Sequence, residues 1–161
     1  MSLTRCHPVF LTCDSSPWEA GKATIQARLL SGRYRLEALT SHWTPGNRSG
    51  LCSLPECWGT DESHKGNLEA FLLSCPSLSV VRTELRESFL KFYRDNPDLE
   101  NMVTECMRHS PVQFLLDCST MPAVICAVQE YGDCVLFPLF KLTRNYCHRL
   151  HVTRSNLLSN Y

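Results

Sequence analysis

The chain has 161 residues, 43% of them hydrophobic and 20% charged, with 16 Lys/Arg against 16 Asp/Glu and ten cysteines. That length supports one sizeable core and leaves no room for a polymerase or a multidomain enzyme. Zero net charge gives no overall attraction to a polyanion or a membrane surface.

Residues 1–16 read as an irregular segment, and its first residues, Met1-Ser2-Leu3-Thr4-Arg5-Cys6-His7-Pro8, lack the apolar run of a signal peptide. No stretch approaches the ~20 apolar residues that span a bilayer. The expectation is an intracellular protein, cytoplasmic and/or nuclear, without a membrane partner. Beyond residue 16 helix signals are dense and period-two alternation is almost absent, so the expected fold is all-α, a small helical domain over residues 17–158. Ser16-Pro17-Trp18-Glu19 supplies a capping hydroxyl, proline at the first helical position and a glutamate placed to reach back. That helix should end near Gly32. Arg33 to Trp43 reads as a second helix with Leu36, Leu39 and Trp43 on one face, stopped by Pro45-Gly46.

Residues 47–66 read as loop, and a short helix over Asn67–Ser74 leads to Cys75-Pro76. Leu78, Val81, Leu85, Phe89 and Phe92 then recur at spacings of three or four, a core-facing stripe that Asn96-Pro97 ends. Asp98 is expected to cap a helix to about His109, Ser110-Pro111-Val112-Gln113 to open the next, and Pro122 to start one closing at Tyr131 with Gly132 as its C-cap. The last helix should run from Asp133 to about Leu158, with Pro138 marking its start or a bend, and 159–161 as a tail.

By position the neutral charge separates. Residues 1–50 carry six basic and three acidic residues, 51–132 six and twelve, and 133–161 four and one. Basic ends could therefore contact a polyanion locally, since screening limits electrostatic reach to about 10 Å. On the last helix Lys141, Arg144, His148 and His151 fall within a sector of roughly 80° at 100° per residue, beside an apolar stripe of Leu136, Phe140, Thr143, Cys147, Leu150 and Leu157. The strip suits phosphates; the plainer reading is a solvated face.

The sharpest local pattern is Cys52-x4-Cys57-x6-His64-x10-Cys75. In a reducing compartment ten cysteines read as thiols or metal ligands before disulfides. A short Cys-x4-Cys turn places two thiolates on one ion, and zinc asks for four such ligands in a tetrahedron. Cys52, Cys57, His64 and Cys75 are thus candidate ligands of a structural Zn2+ fastening the loop at about 47–76. The competing reading makes cysteines small buried hydrophobes, and it is preferred for Cys106, Cys118, Cys126, Cys134 and Cys147. No nucleophile elbow, zincin helix, phosphate loop, dinucleotide fingerprint or Asp-Asp pair occurs. Catalysis and a small-molecule substrate are not expected.

Thr24-Ile25-Gln26-Ala27-Arg28-Leu29-Leu30-Ser31-Gly32-Arg33-Tyr34-Arg35, then Cys52-x4-Cys57, then Phe71-Leu72-Leu73-Ser74-Cys75-Pro76-Ser77-Leu78, resembles the region after the polymerase domain in non-LTR retrotransposon reverse transcriptases. Gln113-Phe114-Leu115-Leu116-Asp117-Cys118-Ser119 and Leu142-Thr143-Arg144-Asn145-Tyr146-Cys147-His148-Arg149-Leu150-His151 are similar to the end of related polyproteins. The resemblance covers residues 17–158. It implies a helical zinc-binding accessory domain, working with an upstream reverse transcriptase domain to hold RNA or target DNA. Cys52, Cys57 and Cys75 match the family's cysteine positions. Many relatives place the histidine five residues before the last cysteine, where this chain has Ala70; His64 is then the replacement, or the site has three protein ligands.

Two classes of function follow. In the first, a nucleic-acid-binding zinc domain, Trp58 stacks on an unpaired base while Arg28, Arg33, Arg35, Lys141, Arg144, His148 and His151 face phosphates. In the second, a non-enzymatic helical interaction or scaffold domain, a domesticated or decayed remnant, the leucine and aromatic stripes meet a protein partner. A thiol enzyme is a third reading that no single cysteine supports.

Overall fold

The computed structural model describes residues 6–36, 51–57 and 66–160. The chain passes through α1 (Pro8–Leu11), α2 (Pro17–Leu30), a 3-10 turn at Pro55–Cys57, a π-helical turn at Ala70–Ser74 and a second 3-10 turn at Pro76–Leu78 that feeds α3 (Ser79–Asp95). Helices α4 (Glu100–His109), α5 (Pro111–Asp117), α6 (Pro122–Tyr131) and α7 (Leu136–Ser159) follow. The architecture is all-α, with no β-strand among the described residues. None of these helices is by itself long and apolar enough to cross a membrane.

Proline opens α1, α2, α5 and α6, where its fixed φ suits the first turn and its missing N–H costs nothing. Ser16 caps α2 by accepting from the Trp18 amide at 3.3 Å, as its sequence context requires. Glu19 does not reach back to complete a capping box; its carboxylate is held by Lys22 and approached by Arg144. Neither Asp98 nor Ser110 caps a helix through its side chain. A 3-10 turn at Pro97–Leu99 instead tightens the entry to α4. Gly132 closes α6 at φ 88°, a left-handed conformation in which a side chain would be strained. Pro138 lies in the first turn of α7 and so marks its start, not a bend.

Two expectations fail. Residues 33–36 are not helical; after Gly32 at φ 69° the amides of Arg33 and Tyr34 both return to the Arg28 carbonyl. Tyr34 and Leu36 are buried and Arg33 and Arg35 exposed, an alternation of two rather than 3.6. The remainder of the expected second helix, to Trp43, lies outside the described residues. The N-terminal segment is also not irregular throughout. His7 caps α1 by accepting from the Val9 amide, and Val9 is buried against the rest of the protein.

Helix α7 is the hub, packing against α2, α3 and α5. It buries Leu139, Phe140, Leu142, Thr143, Tyr146, Cys147 and Leu150, a sector wider than one apolar stripe. Two polar side chains fix its position. Gln26 of α2, fully buried, donates to the Leu115 carbonyl at 2.8 Å and to the Thr143 hydroxyl at 2.9 Å, tying α2, α5 and α7 together. Arg144, only 2% exposed, donates to the Thr12 hydroxyl at 2.6 Å, to the Thr12 carbonyl at 3.1 Å and to the Val9 carbonyl at 3.4 Å. Its second nitrogen lies 3.5 Å from Glu19.

Arg144 is therefore the clamp between α1, α2 and α7, not a member of an exposed phosphate-facing strip. A buried guanidinium depends on matched donors, and the docked N-terminal segment supplies acceptors to both terminal nitrogens, while Nε has no partner among the described residues. Arg144→Ala should lower unfolding stability by about 3 kcal/mol, read by urea denaturation, because it strands the Thr12 and Val9 oxygens and leaves a hole.

Burial alone would raise the Glu19 carboxyl. The hydrogen bond from Lys22, with the Lys22 and Arg144 charges, outweighs it and holds the group below its ordinary value. Since the folded pKa lies under the unfolded one, this contribution is complete above the unfolded value of about 4.3 and is lost as pH falls through the lowered one. Acid unfolding should accordingly begin at higher pH in wild type than in a Glu19→Gln variant, once each is referred to its own stability at pH 7.

Candidate metal centre and basic surface

Three elements bring three thiols together. Cys52 precedes, and Cys57 ends, the turn Pro55–Cys57, in which the Cys57 amide bonds the Leu54 carbonyl at 3.0 Å. Cys75 sits between the π-helical turn and the turn Pro76–Leu78. The Sγ atoms of Cys52, Cys57 and Cys75 all lie within 4.8 Å of one another. Cys75 is 3.9 Å from Cys52 and 3.5 Å from Cys57. A Zn–S bond near 2.3 Å in a tetrahedron sets neighbouring sulfurs about 3.8 Å apart, so the spacing matches ligands of one ion. It is far beyond the ~2.05 Å of a disulfide. These three cysteines could hold a metal ion.

The cluster is held from behind. The Cys75 amide bonds the Ala70 carbonyl at 2.7 Å, and the Cys75 carbonyl accepts from the Leu78 amide and the Arg82 guanidinium. Ser77 Oγ accepts from the Glu56 amide at 3.2 Å and lies 3.8 Å from Cys57 Sγ, joining the two cysteine-bearing turns. Leu54, Phe71, Leu72 and Leu78 are buried around the centre, which excludes water from one side. Hydrogen bonding to Cys75, then burial, pushes the Cys52 thiol up; burial pushes Cys57 up; the Cys52 hydrogen bond brings Cys75 down. A bound cation would favour the thiolate form of all three.

A small hollow of about 10 Å³ opens beside Cys52 and Cys75, lined also by Leu36, Leu54, Gly66 and Ala70. His64, the expected fourth ligand, and Trp58, the expected stacking residue, lie outside the described residues. Ala70, the position at which relatives by resemblance carry histidine, lines this hollow.

The other cysteines divide. Cys106, Cys118 and Cys147 are buried packing residues, and burial pushes Cys118 and Cys147 up to about 12. Cys126 and Cys134 are exposed, which corrects their assignment to the core.

Of the expected phosphate-facing residues, Arg28, Arg33 and Arg35 are exposed at and just beyond the end of α2, and Lys141 is exposed on α7. Arg144 is withdrawn into the core. His148 packs edge-on against Trp18, with ring centroids 5.1 Å apart. His151 shares a 2.9 Å hydrogen bond with the Tyr34 hydroxyl. Burial first, then the cations around them, lower both histidines, so at pH 7 they are neutral rings and not phosphate anchors. Arg154, which the sequence places near the basic strip of the last helix, lies 5.9 Å from the centre of the Tyr34 ring and, with Arg28, is among the cations that lower His151.

If the cluster binds a thiophilic divalent ion, titration with Co2+ should give thiolate charge-transfer absorption saturating near one ion per chain. Cys57→Ala and Cys75→Ala should each abolish it, while Cys134→Ala, on an exposed thiol away from the centre, should leave it intact.

Comparison of the chain with protein-family models, with curated proteins and with solved structures finds no match.

Proposed function

We propose that the chain is a nucleic-acid-binding zinc domain of the kind found after the polymerase domain of non-LTR retrotransposon reverse transcriptases. It has no catalytic role of its own, and it acts on RNA or target DNA beside an upstream reverse transcriptase domain. The observation that carries this reading is the convergence of Cys52, Cys57 and Cys75, the three positions on which the resemblance rests. In this reading Zn2+ is structural, and His64 supplies the fourth ligand. Gly66, two residues later in the sequence, lines the hollow at the centre, which favours that assignment over a three-ligand site.

Zinc has no redox chemistry here and would act by fixing geometry. The residues that hold it join the turn at 52–57 to the π-helical turn, and the π-helical turn packs on α7 through the Tyr146 hydroxyl, which donates to the Leu72 carbonyl at 2.8 Å. Arg28, Arg33 and Arg35, with Arg154 nearby, provide the phosphate-facing surface, and Trp58 stacks on an unpaired base.

Metal analysis should find about one zinc per chain in wild type and none in Cys52→Ala or His64→Ala; zinc retained in His64→Ala would assign the fourth position elsewhere. Affinity for single-stranded RNA should fall with salt, and neutralising Arg28, Arg33 and Arg35 together should reduce the log–log slope by about 2, at roughly 0.7 per phosphate contact. Binding that is absent at low salt would overturn the reading. Because burial lowers His148 and His151, affinity should be flat from pH 8 to 7 and strengthen only once pH falls below the ordinary histidine value of about 6.5, as they take up protons.

A further inference from the structure

Helix α3 carries a second stripe that its core-facing residues do not use. At 100° per residue Ser79, Arg82, Thr83, Arg86, Leu90 and Tyr93 fall within a sector of about 100°, and all of them line one open groove of about 560 Å³. Its remaining wall is apolar and aromatic, with Phe89 of α3 and Tyr146 of α7 prominent. The Phe89 ring meets Tyr93 and Tyr146 edge-on, at centroid distances of 6.3 and 6.1 Å. Leu90 remains 51% exposed. The groove therefore offers aromatic surface beside two cations.

Neither Arg82 nor Arg86 meets a carboxylate among the described residues. One Arg82 nitrogen, Nη1, is buried with no hydrogen-bond partner among them, while Nη2 bonds the Cys75 carbonyl. None of the acidic residues of the same helix lines the groove. Glu84 pairs with Arg149 of α7, and Glu87 lines a neighbouring hollow with Arg94 and Glu100. The contrast with the hollow beneath Trp18 is instructive: there Lys22 is bound to Glu19 and Asn145, and Arg149 to Glu84, so its cations are already satisfied.

We infer that the α3 groove is a nucleotide subsite, taking one unstacked base of a single-stranded nucleic acid against Tyr93, Phe89 and Leu90 with its phosphate on Arg86 and Arg82. The inference rests on the nucleic-acid-binding reading and adds to it a site separate from the Arg28/Arg33/Arg35 surface. Aromatic faces accept any base, and guanidinium groups serve both phosphate and base planes, so the subsite is tolerant of sequence. A phosphate on Arg82 would also abut the metal centre through the Cys75 carbonyl. An acidic peptide would use the cations but leave the ring surface unexplained.

The test uses the full zinc-loaded chain and a single-stranded RNA of about 12 nucleotides bearing 5-iodouridine. Photo-cross-linking should place the base on the peptide containing Phe89 and Tyr93. Arg86→Glu, at an exposed position, should weaken binding about tenfold while leaving the thermal midpoint unchanged, and Leu90→Asp should remove the cross-link. If RNA binds but cross-links elsewhere and Arg86→Glu binds as wild type, the subsite is wrong and the broader reading stands. If no RNA binds at low salt, both fail. Tyr93 ring resonances that move with a glutamate-rich peptide and not with RNA would assign the groove to a protein partner and overturn the inference.

Discussion

A guanidinium removed from water needs oxygens around it, and both terminal nitrogens of Arg144 find them at the far end of the chain, while its Nε has no partner among the described residues. Thr12 and Val9 lie more than 130 positions away in sequence, yet their oxygens supply most of the shell. This demand docks the first helical turn, seats α2 through Glu19 and sets the rotation of α7 about its axis. Once α7 is fixed, Thr143 faces Gln26 and Tyr146 faces the π-helical turn. The three-cysteine cluster is tied to α7 by that last contact and to α3 by Arg82 on the Cys75 carbonyl.

The polar ties do different work from the apolar contacts. Leu and Phe side chains bury area without much preference for register, whereas Gln26 and Arg144 accept few arrangements. Such groups contribute less to net stability than their hydrogen bonds suggest, because desolvation offsets most of the gain. Their effect here is on uniqueness.

What could be read from sequence was local. Proline at the start of α2, α5 and α6, and glycine after α6, act through their own backbone restrictions, so their positions sufficed. The Cys52–Cys57 pair was legible for the same reason, since four intervening residues can only form a tight turn. Arg33–Leu36 was not, because its alternation of buried and exposed residues is only four residues long and its leucine also fits a helical period with Leu39. Arg144 could not be recognised as buried: on a helical wheel it stands beside Lys141 and His148, and nothing nearby announces Thr12. The histidines matched their expected face but not their expected charge, which burial and neighbouring cations decide. Arg82 went unremarked because an arginine on an amphipathic helix reads as solvated until its nitrogen proves to be enclosed.

The π-helical turn at Ala70–Ser74 holds one more residue per turn than an α-helix would, and it stands directly before Cys75. Such turns are what an α-helix becomes when a residue is inserted without disturbing what lies on either side. Winding the same residues as an α-helix would instead swing everything downstream by about 100° relative to Phe71 and Leu72. Cys75 would then leave the other two thiols even though all three were still encoded. The capacity to hold a metal thus depends on the winding between Asn67 and Cys75 as much as on the ligands themselves, and a one-residue deletion there, which the turn can absorb, would do less harm than a substitution that favours α-helical winding.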